Sequence, residues 1–206
     1  MLDVTDRLVV LVGGGAVATR KANGLIAAGA TRVRCVSPAF DPAMPAGVER
    51  VDATYSPHHL DGASLVFAVT DVPEVNAAVV RDARARGIWV NRADADEAEP
   101  GDFSTPARFD PPGAVVTVSA AGSPALAVLI RDGLAARWDA RWSRLAEATQ
   151  TIRRKVRSAK ELPVQRRAAV FRELASAEAL DVVAAGGAAA LRAWLLQRHP
   201  ELATVL

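Results

Sequence analysis

Two segments near the start of the chain are short unbroken apolar blocks, without alternation with polar residues. Leu8–Val12 is apolar throughout and ends at three glycines, and residues 65–69 form a second such block. An unbroken β-branched run of this length is typical of a strand that is buried on both faces, as in a parallel sheet. We predict two further strands, at residues 32–36 and 88–90.

Helical spacing fills the gaps between these strands. Residues 16–30 and 75–86 carry apolar side chains at helical intervals, with Gly29 and Gly87 as the stop signals of the two helices. Strands that alternate with helices at this spacing predict βαβ units. The expected fold class is therefore α/β, with a Rossmann-type parallel sheet that has helices on both faces.

The pattern changes after Asp-Pro-Pro-Gly at residues 110–113, which is strong turn punctuation. We predict a strand at residues 114–119 and helices from about residue 125 almost to the end, with breaks near Pro163 and at Gly186-Gly187. Residues 114–142 carry a Val-rich strand and a helix on which Trp138 and Trp142 share a face. This is more apolar surface than so short a segment buries alone, so it supports a dimer.

Composition favours a cytoplasmic globular protein. Half of the residues are hydrophobic and 23% are charged, and we find no uncharged apolar run of 18 residues that would predict a membrane span. The N-terminus lacks the features of a signal peptide, and one cysteine, Cys35, cannot form an internal disulfide. We therefore expect a cytoplasmic location and no membrane partner.

Charge is distributed unevenly along the chain. Residues 1–130 hold 11 Lys/Arg against 15 Asp/Glu, whereas residues 131–206 hold 14 against 8. A basic C-terminal part suits an acidic ligand, but a solvated helical surface explains it equally well. We expect no nucleic-acid partner, because aromatic residues are not interleaved with the basic ones as a stacking platform requires.

The glycine cluster after the first strand is the clearest functional motif. Gly13-x-Gly15-x-x-Ala18 is the dinucleotide fingerprint with Ala at its third place, lying between a strand and a helix. The first glycine allows a tight turn, the second has no Cβ to block a pyrophosphate, and the helix N-terminus attracts phosphate. The alternative is a Gly-rich turn without a ligand. The expected pyrophosphate contacts are Gly13, Gly14, Gly15, Ala16 and Val17.

The residues alone leave NAD and NADP open. NAD usually requires an acidic residue at the end of the second strand, but this strand ends in Val36-Ser37-Pro38 and the first acid after it is Asp41. Arg32 and Arg34 could meet the 2′-phosphate of NADP, or they could point to solvent.

A longer set of motifs resembles one family. Residues 13–21, Gly-Gly-Gly-Ala-Val-Ala-Thr-Arg-Lys, are similar to the GGGxVAxRK opening of the precorrin-2 dehydrogenases, the N-terminal family of siroheme synthases. Further similar segments follow in family order: Ser37-Pro38, Ala68 to Asp71 with Val75-Asn76, Val90 to Asp94, Asp102 to Ala107, and Val118 to Pro124.

The resemblance implies three parts: an NAD-binding Rossmann domain at residues 1–112, a dimerisation segment at 113–146 and a helical domain at 147–206. It implies a homodimer that oxidises precorrin-2 to sirohydrochlorin, with NAD⁺ as hydride acceptor and an anionic tetrapyrrole as substrate. Some members also insert Fe²⁺. The rival hypotheses are another Rossmann oxidoreductase and a non-catalytic NAD-sensing module.

Asp94 is the candidate catalytic residue. It follows the strand at residues 88–90, at the carboxyl end where ligands bind in open α/β sheets, and a carboxylate suits the removal of a proton. Its family counterpart is the aspartate that the resemblance implicates in dehydrogenation. The alternatives are a helix cap or a solvated carboxylate, and Asp96 and Glu97 are close rivals.

The other candidates are assigned to cofactor or substrate. Ser119 and Ser123 are candidate ligand contacts, although Ser123-Pro124 is also a helix-start signal. Arg153 and Arg154 could bind substrate carboxylates or be solvated. No His, Cys or Asp spacing predicts a metal site, since His58 and His59 lie together far from Asp94. Beyond the glycine loop, the expected cofactor contacts are Ser37, Thr70, Asp71 and Asn91. The alternatives are helix capping for Thr70 and Asp71 and ordering of the loop that carries Asp94 for Asn91.

Overall fold

The computed structural model describes residues 2–94 and 100–206. The two rivals of Asp94, Asp96 and Glu97, lie outside the described residues. The chain divides into two compact units, Met1–Thr105 and Pro106–Leu206, called here the N-terminal and C-terminal units. The finer division at residues 112 and 146 stays a prediction.

The N-terminal unit is built on a five-stranded parallel sheet in the order β3-β2-β1-β4-β5. β1, in the centre, is buried at all five positions, which explains its unbroken apolar sequence. The predicted α/β Rossmann-type fold is confirmed. The strands are β1 (Leu8–Val12), β2 (Arg32–Ser37), β3 (Val48–Asp52), β4 (Ala63–Ala68) and β5 (Trp89–Arg92).

Helices α1 (Ala16–Ala27) and α2 (Pro73–Ala85) cover opposite faces of this sheet. Alternate residues of β1 face two different cores: Val9 packs in the cluster that includes Ala18 and Ala22 of α1, whereas Val10 packs with Val79 of α2. Both helices end before a glycine of positive φ, as predicted.

The sequence patterns missed β3. This strand pairs on one side only, with β2, and three of its five residues are exposed. An edge strand with Glu, Arg and Asp in five residues lacks the apolar signal of the central strands.

The C-terminal unit joins a small hairpin to four helices. β6 (Ala107–Phe109) pairs antiparallel with β7 (Val116–Val118), around the predicted turn. A core of apolar residues on the last three helices includes Ile152, Val170 and Leu191. The helices are α3 (Pro124–Ala136), α4 (Ala140–Ser158), α5 (Val164–Leu174) and α6 (Ala177–Arg198).

The prediction that Trp138 and Trp142 share one helix is wrong. Trp138 lies in the turn between α3 and α4, because Asp139 caps α4 through its carboxylate. Its ring packs edge-on against Phe109, with centroids 5.6 Å apart, and its Nε1–H donates to Ser143.

Helix α6 is interrupted at Gly186 and Gly187, whose backbone angles are not helical. The expected break is confirmed, although the surrounding Ala/Gly-rich run is helical on both sides and is not a loop. By length and composition α6 could cross a membrane, yet Leu191 and Leu195 lie in the core of the C-terminal unit. The cytoplasmic location and the lack of a membrane partner stay predictions.

Candidate functional site

The predicted site residues of the N-terminal unit meet at the carboxyl edge of its sheet. From β1 the chain winds outward to β2 and β3 on one side, and β4 and β5 lie on the other side. The order therefore reverses between β1 and β4, which is the position where open α/β sheets bind ligands. The glycine loop follows β1, Thr70 follows β4, and Asp94 follows β5.

The glycine loop is held in place by its first two glycines. Gly13 has φ of +114°, and a Cβ there would stand 2.6 Å from the carbonyl oxygen of Val69. A Cβ on Gly14 would collide with the carbonyl oxygen of Ala39. Both positions need glycine because the backbone just after β2 and just after β4 approaches the loop closely.

Gly15 differs, because neither its backbone angles nor the described residues around it require glycine. It is the N-cap of α1, with an ordinary φ of −79°. No atom of the described residues lies within 4 Å of where its Cβ would be. The missing side chain therefore leaves an open space directly in front of the helix.

The start of α1 can accept an anion in that space. Its first turn has no acidic residue, and no described side chain caps it. The first N–H groups of a helix lack intrahelical partners and carry a partial positive charge. Gly15, Ala16 and Val17 are exposed there, so the residues present fit a dinucleotide pyrophosphate.

Cys35 and Ser37 lie beneath the loop. The Cys35 thiol is fully buried and donates to the carbonyl oxygen of Gly13 at 3.2 Å, and burial raises its pKa to about 11. Ser37 is also buried, with its hydroxyl facing the Gly14 position. Both side chains support the loop from the protein side.

Asn76 organises the loop after β4 and is a residue that the sequence search did not select. It is fully buried. Its Oδ1 accepts from the backbone N–H and the hydroxyl of Thr70, at 3.1 and 2.8 Å, and its Nδ2 donates to the Thr70 carbonyl at 3.0 Å. The Thr70 hydroxyl is thereby committed to the turn, while Asp71 is exposed.

Arg92 donates two hydrogen bonds to Asp94 and is the second site residue that the sequence patterns did not single out. Arg92 Nε donates to Asp94 Oδ1 at 2.6 Å, and its Nη2 donates to Oδ2 at 3.0 Å. The Arg92 side chain is 1% exposed and that of Asp94 is 27% exposed. Hydrogen bonds from Arg92 and, more weakly, from Asn76 hold the pKa of Asp94 below its ordinary value.

Asn91 supplies a buried acceptor. Its Nδ2 donates to the Phe103 carbonyl at 2.7 Å, which ties β5 to the segment before the C-terminal unit. Its Oδ1 is buried and has no hydrogen-bond partner among the described residues. A buried acceptor without a partner is costly, so the atom is suited to a donor from a ligand.

Two of the four C-terminal candidates have structural contacts, and the other two are exposed. Ser123 caps α3 by accepting from the N–H of Leu126, and Ser119 is exposed. The Arg153 guanidinium lies 4.4 Å from the ring centroid of Phe171, and Arg154 is exposed.

A cleft of about 490 Å³ lies within the C-terminal unit. Arg144, Lys155 and Arg192 line it, and Arg153 and Arg154 do not. Among residues 2–94 and 100–206, no group of three or more His, Cys, Asp or Glu side chains is placed to hold a metal ion.

Comparisons with known proteins agree with this geometry. Residues 1–107 match the family model described as "Putative NAD(P)-binding". The chain is 38% identical over 203 residues to a siroheme synthase of Chromobacterium violaceum, covering 96% of this chain and 42% of that protein. It is 37% identical over 172 residues to a siroheme synthase of Methylobacillus flagellatus, covering 81% and 36%. The chain thus spans less than half the length of these relatives.

One solved structure extends the likeness to nearly the whole chain. "SirC, precorrin-2 dehydrogenase" superposes with a TM-score of 0.73 at 20% identity, covering 96% of both chains. At this identity the match shows the fold. The predicted resemblance and the predicted dinucleotide cofactor are both confirmed, and the chain belongs to the NAD(P)-binding family whose model its first 107 residues match.

Proposed function

We propose that this chain oxidises precorrin-2 to sirohydrochlorin in siroheme biosynthesis, with NAD⁺ as hydride acceptor. One observation carries the proposal: a clamped, ionised carboxylate, Asp94, lies on the same sheet edge as the open start of α1. The siroheme synthase relatives and the SirC fold indicate which substrate class such a site serves.

The glycine loop and the start of α1 hold the cofactor. Gly15, Ala16 and Val17 present backbone N–H groups to its pyrophosphate, while Ser37 and Thr70 border the loop. The bound nicotinamide supplies the hydride acceptor. The orphaned Oδ1 of Asn91 offers an acceptor to a donor on the ligand.

Asp94 takes the proton in this proposal. Desaturation of a carbon–carbon bond removes a hydride and a proton, and an ionised carboxylate accepts the proton. Because the pKa of Asp94 lies below its ordinary value, the side chain is ionised at neutral pH without any activation.

The surroundings of β2 favour NAD over NADP. Arg32 begins β2, roughly 16 Å from its carboxyl end at about 3.3 Å per residue. Arg34 forms an ion pair with Glu49 of β3 at 3.1 Å. The backbone N–H of Asp41 donates to the Gly14 carbonyl at 2.8 Å, and its carboxylate accepts from the N–H of Ala43 at 2.8 Å. An acidic residue tied to the loop in this way disfavours the extra negative charge of a 2′-phosphate.

An exposed apolar face on α3 supports a homodimer. Leu129 is 68% exposed, and its neighbours share the exposure although Pro124–Ala136 is a regular helix. Apolar patches of this kind are unusual on a free surface and typical of an interface. The exposed members of this face are Leu126 and the residues three, four and eight positions after it, Leu129, Ile130 and Leu134.

The substrate carries carboxylates, and the basic C-terminal unit is suited to them. Arg153, Arg154, Ser119 and Ser123 remain candidates for substrate binding. The basic residues that line the cleft are further candidates: Arg144, Lys155 and Arg192. Charge reversal at Arg153 and Arg154 should raise KM for the tetrapyrrole without changing the dissociation constant of NAD.

The decisive experiment is conversion of precorrin-2 with NAD⁺ or NADP⁺, with sirohydrochlorin followed by absorbance. We expect turnover with NAD⁺, a much lower kcat/KM with NADP⁺, and a loss of at least about 100-fold in kcat for Asp94→Ala with unchanged NAD affinity. Full activity of Asp94→Ala would remove Asp94 from the mechanism. No turnover, and no spectral shift with either tetrapyrrole, would favour the NAD-sensing module.

A further inference from the structure

The Arg92–Asp94 pair differs from the Arg108–Asp110 pair of the same spacing because its cation is buried. Arg92 lies in β5 with 1% of its side chain exposed, whereas Arg108, which pairs with Asp110 at the same spacing of two residues, is 50% exposed. A guanidinium without access to water must be hydrogen-bonded, since removal of its solvation costs several kcal/mol. Its orientation is therefore fixed by the partners around it.

Those partners aim the guanidinium at the carboxylate in a two-point contact. Nε meets Oδ1 at 2.6 Å, Nη2 meets Oδ2 at 3.0 Å, and Nη2 also donates to the Pro73 carbonyl at 3.3 Å. A two-point contact fixes both the position and the plane of a carboxylate. From α2, the amide of Asn76 also faces Asp94.

We propose that Arg92 is a positioning residue for the reaction: its buried guanidinium fixes the orientation of the Asp94 carboxylate at the sheet edge for proton removal. This rests on the proposed function. Arg92 acts through Asp94 and is itself covered, so it does not contact the substrate. The clamp makes Asp94 a weaker base, and correct alignment with the reacting carbon offsets that loss.

The test is a double-mutant cycle in kcat with Arg92→Met, Asp94→Asn and the double variant. Arg92→Met should lower kcat by about 30-fold or more, with KM and NAD affinity within about 3-fold of the wild type. In the Asp94→Asn background the same change should alter kcat less than about 3-fold, because the group it positions is gone. Arg92→Lys keeps a buried cation and should recover part of the rate.

The pH profile gives a readout that a purely structural role would not change. Loss of the guanidinium raises the pKa of Asp94, so the acid limb of kcat should move to higher pH in Arg92→Met and much less in Arg92→Lys. Arg92→Lys also serves as the test variant if Arg92→Met does not fold. Arg108→Met removes the exposed pair of the same spacing and should leave kcat and the acid limb unchanged.

Two outcomes overturn the proposal separately from the proposed function. If Asp94→Asn is inactive while Arg92→Met matches Arg108→Met in kcat and acid limb, Arg92 has no positioning role. The same holds if Arg92→Met lowers kcat equally in both backgrounds. If Asp94→Asn turns over like the wild type, the assigned role of Asp94 fails first, and that of Arg92 fails with it.

Discussion

Gly14 and Gly15 are neighbours with different reasons to be glycine, and replacing each by alanine separates folding from cofactor binding. A Cβ on Gly14 meets the Ala39 carbonyl oxygen and stands 2.9 Å from Ser37 Cβ. A Cβ on Gly15 meets no atom of the described residues within 4 Å, and the φ of −79° suits alanine. Gly14→Ala should therefore destabilise the fold, and Gly15→Ala should block the cofactor.

The magnitudes follow from these contacts. In Gly14→Ala the backbone must shift to admit the new Cβ, which lowers the free energy of unfolding by about 2–4 kcal/mol. For a chain of this size Tm falls by about 5–15 °C. In Gly15→Ala the weaker N-cap destabilises the folded state, whereas the less flexible unfolded chain favours folding. The two effects nearly cancel, so the free energy of unfolding should change by less than about 1 kcal/mol. Its Cβ enters the pyrophosphate space and should weaken NAD binding by about 30-fold or more, or 2 kcal/mol.

Thermal unfolding with and without NAD measures both effects. At a concentration of 100 times the wild-type Kd, NAD stabilises the wild type by about 2.7 kcal/mol, and a 30-fold weaker site leaves about 0.9 kcal/mol. Calorimetric titration gives the affinity directly. Wild-type NAD affinity in a well-folded Gly15→Ala variant would refute the placement of the pyrophosphate at this glycine.

Further changes test other parts of the structure. Asn76→Ala should cost about 2–4 kcal/mol in urea unfolding, because Asn76 is fully buried with three hydrogen bonds to Thr70; a cost below 1 kcal/mol would contradict its organising role. Burial lowers the pKa of Lys21 to about 8 from 10.5, so the unfolded chain binds more protons between these values. The free energy of unfolding should therefore rise with pH in that window, and Lys21→Met should flatten the rise. Leu129→Lys, on the exposed face of α3, should shift the protein to a monomer by size exclusion with light scattering, whereas Val164→Lys, at an equally exposed position outside that face, should not. Ala121 has φ of +42°, so Ala121→Gly should raise stability by about 1 kcal/mol; a fall in Tm would show that the alanine side chain is needed.

The central strands and the glycine loop could be predicted because burial and backbone crowding leave a direct signal in their sequences. β1 is buried on both faces, so every residue is apolar, and the loop needs glycine where neighbouring backbone crowds it. β3 could not be predicted, because an edge strand has solvent on one side and tolerates charge. The position of Trp138 could not be predicted either. Its spacing of four from Trp142 is that of one helix, but Asp139 starts a new helix between them, and the Trp138 ring packs on Phe109 of β6.

The strand ends that carry the candidate residues could be predicted from the sequence, but the contacts of those residues could not. Asp94 could be selected because a carboxylate after a parallel strand is a familiar signal. Arg92 could not, since a charged residue at a strand end is usually exposed and only the fold shows it buried against α2. Asn76 is likewise a helix residue in sequence and a buried link between two loops in space.

The buried thiol under the glycine loop has a practical consequence. Because Cys35 donates to the Gly13 carbonyl and is shielded from water, a thiol reagent reaches it only when the loop and the strands beneath it open. It is the one cysteine of the chain, so the rate at which the protein is alkylated reports how often this region opens. Cofactor bound against the loop should lower the alkylation rate of Cys35. The ratio of the rates without and with nucleotide then measures how far the nucleotide suppresses opening of the sheet edge, without any engineered label.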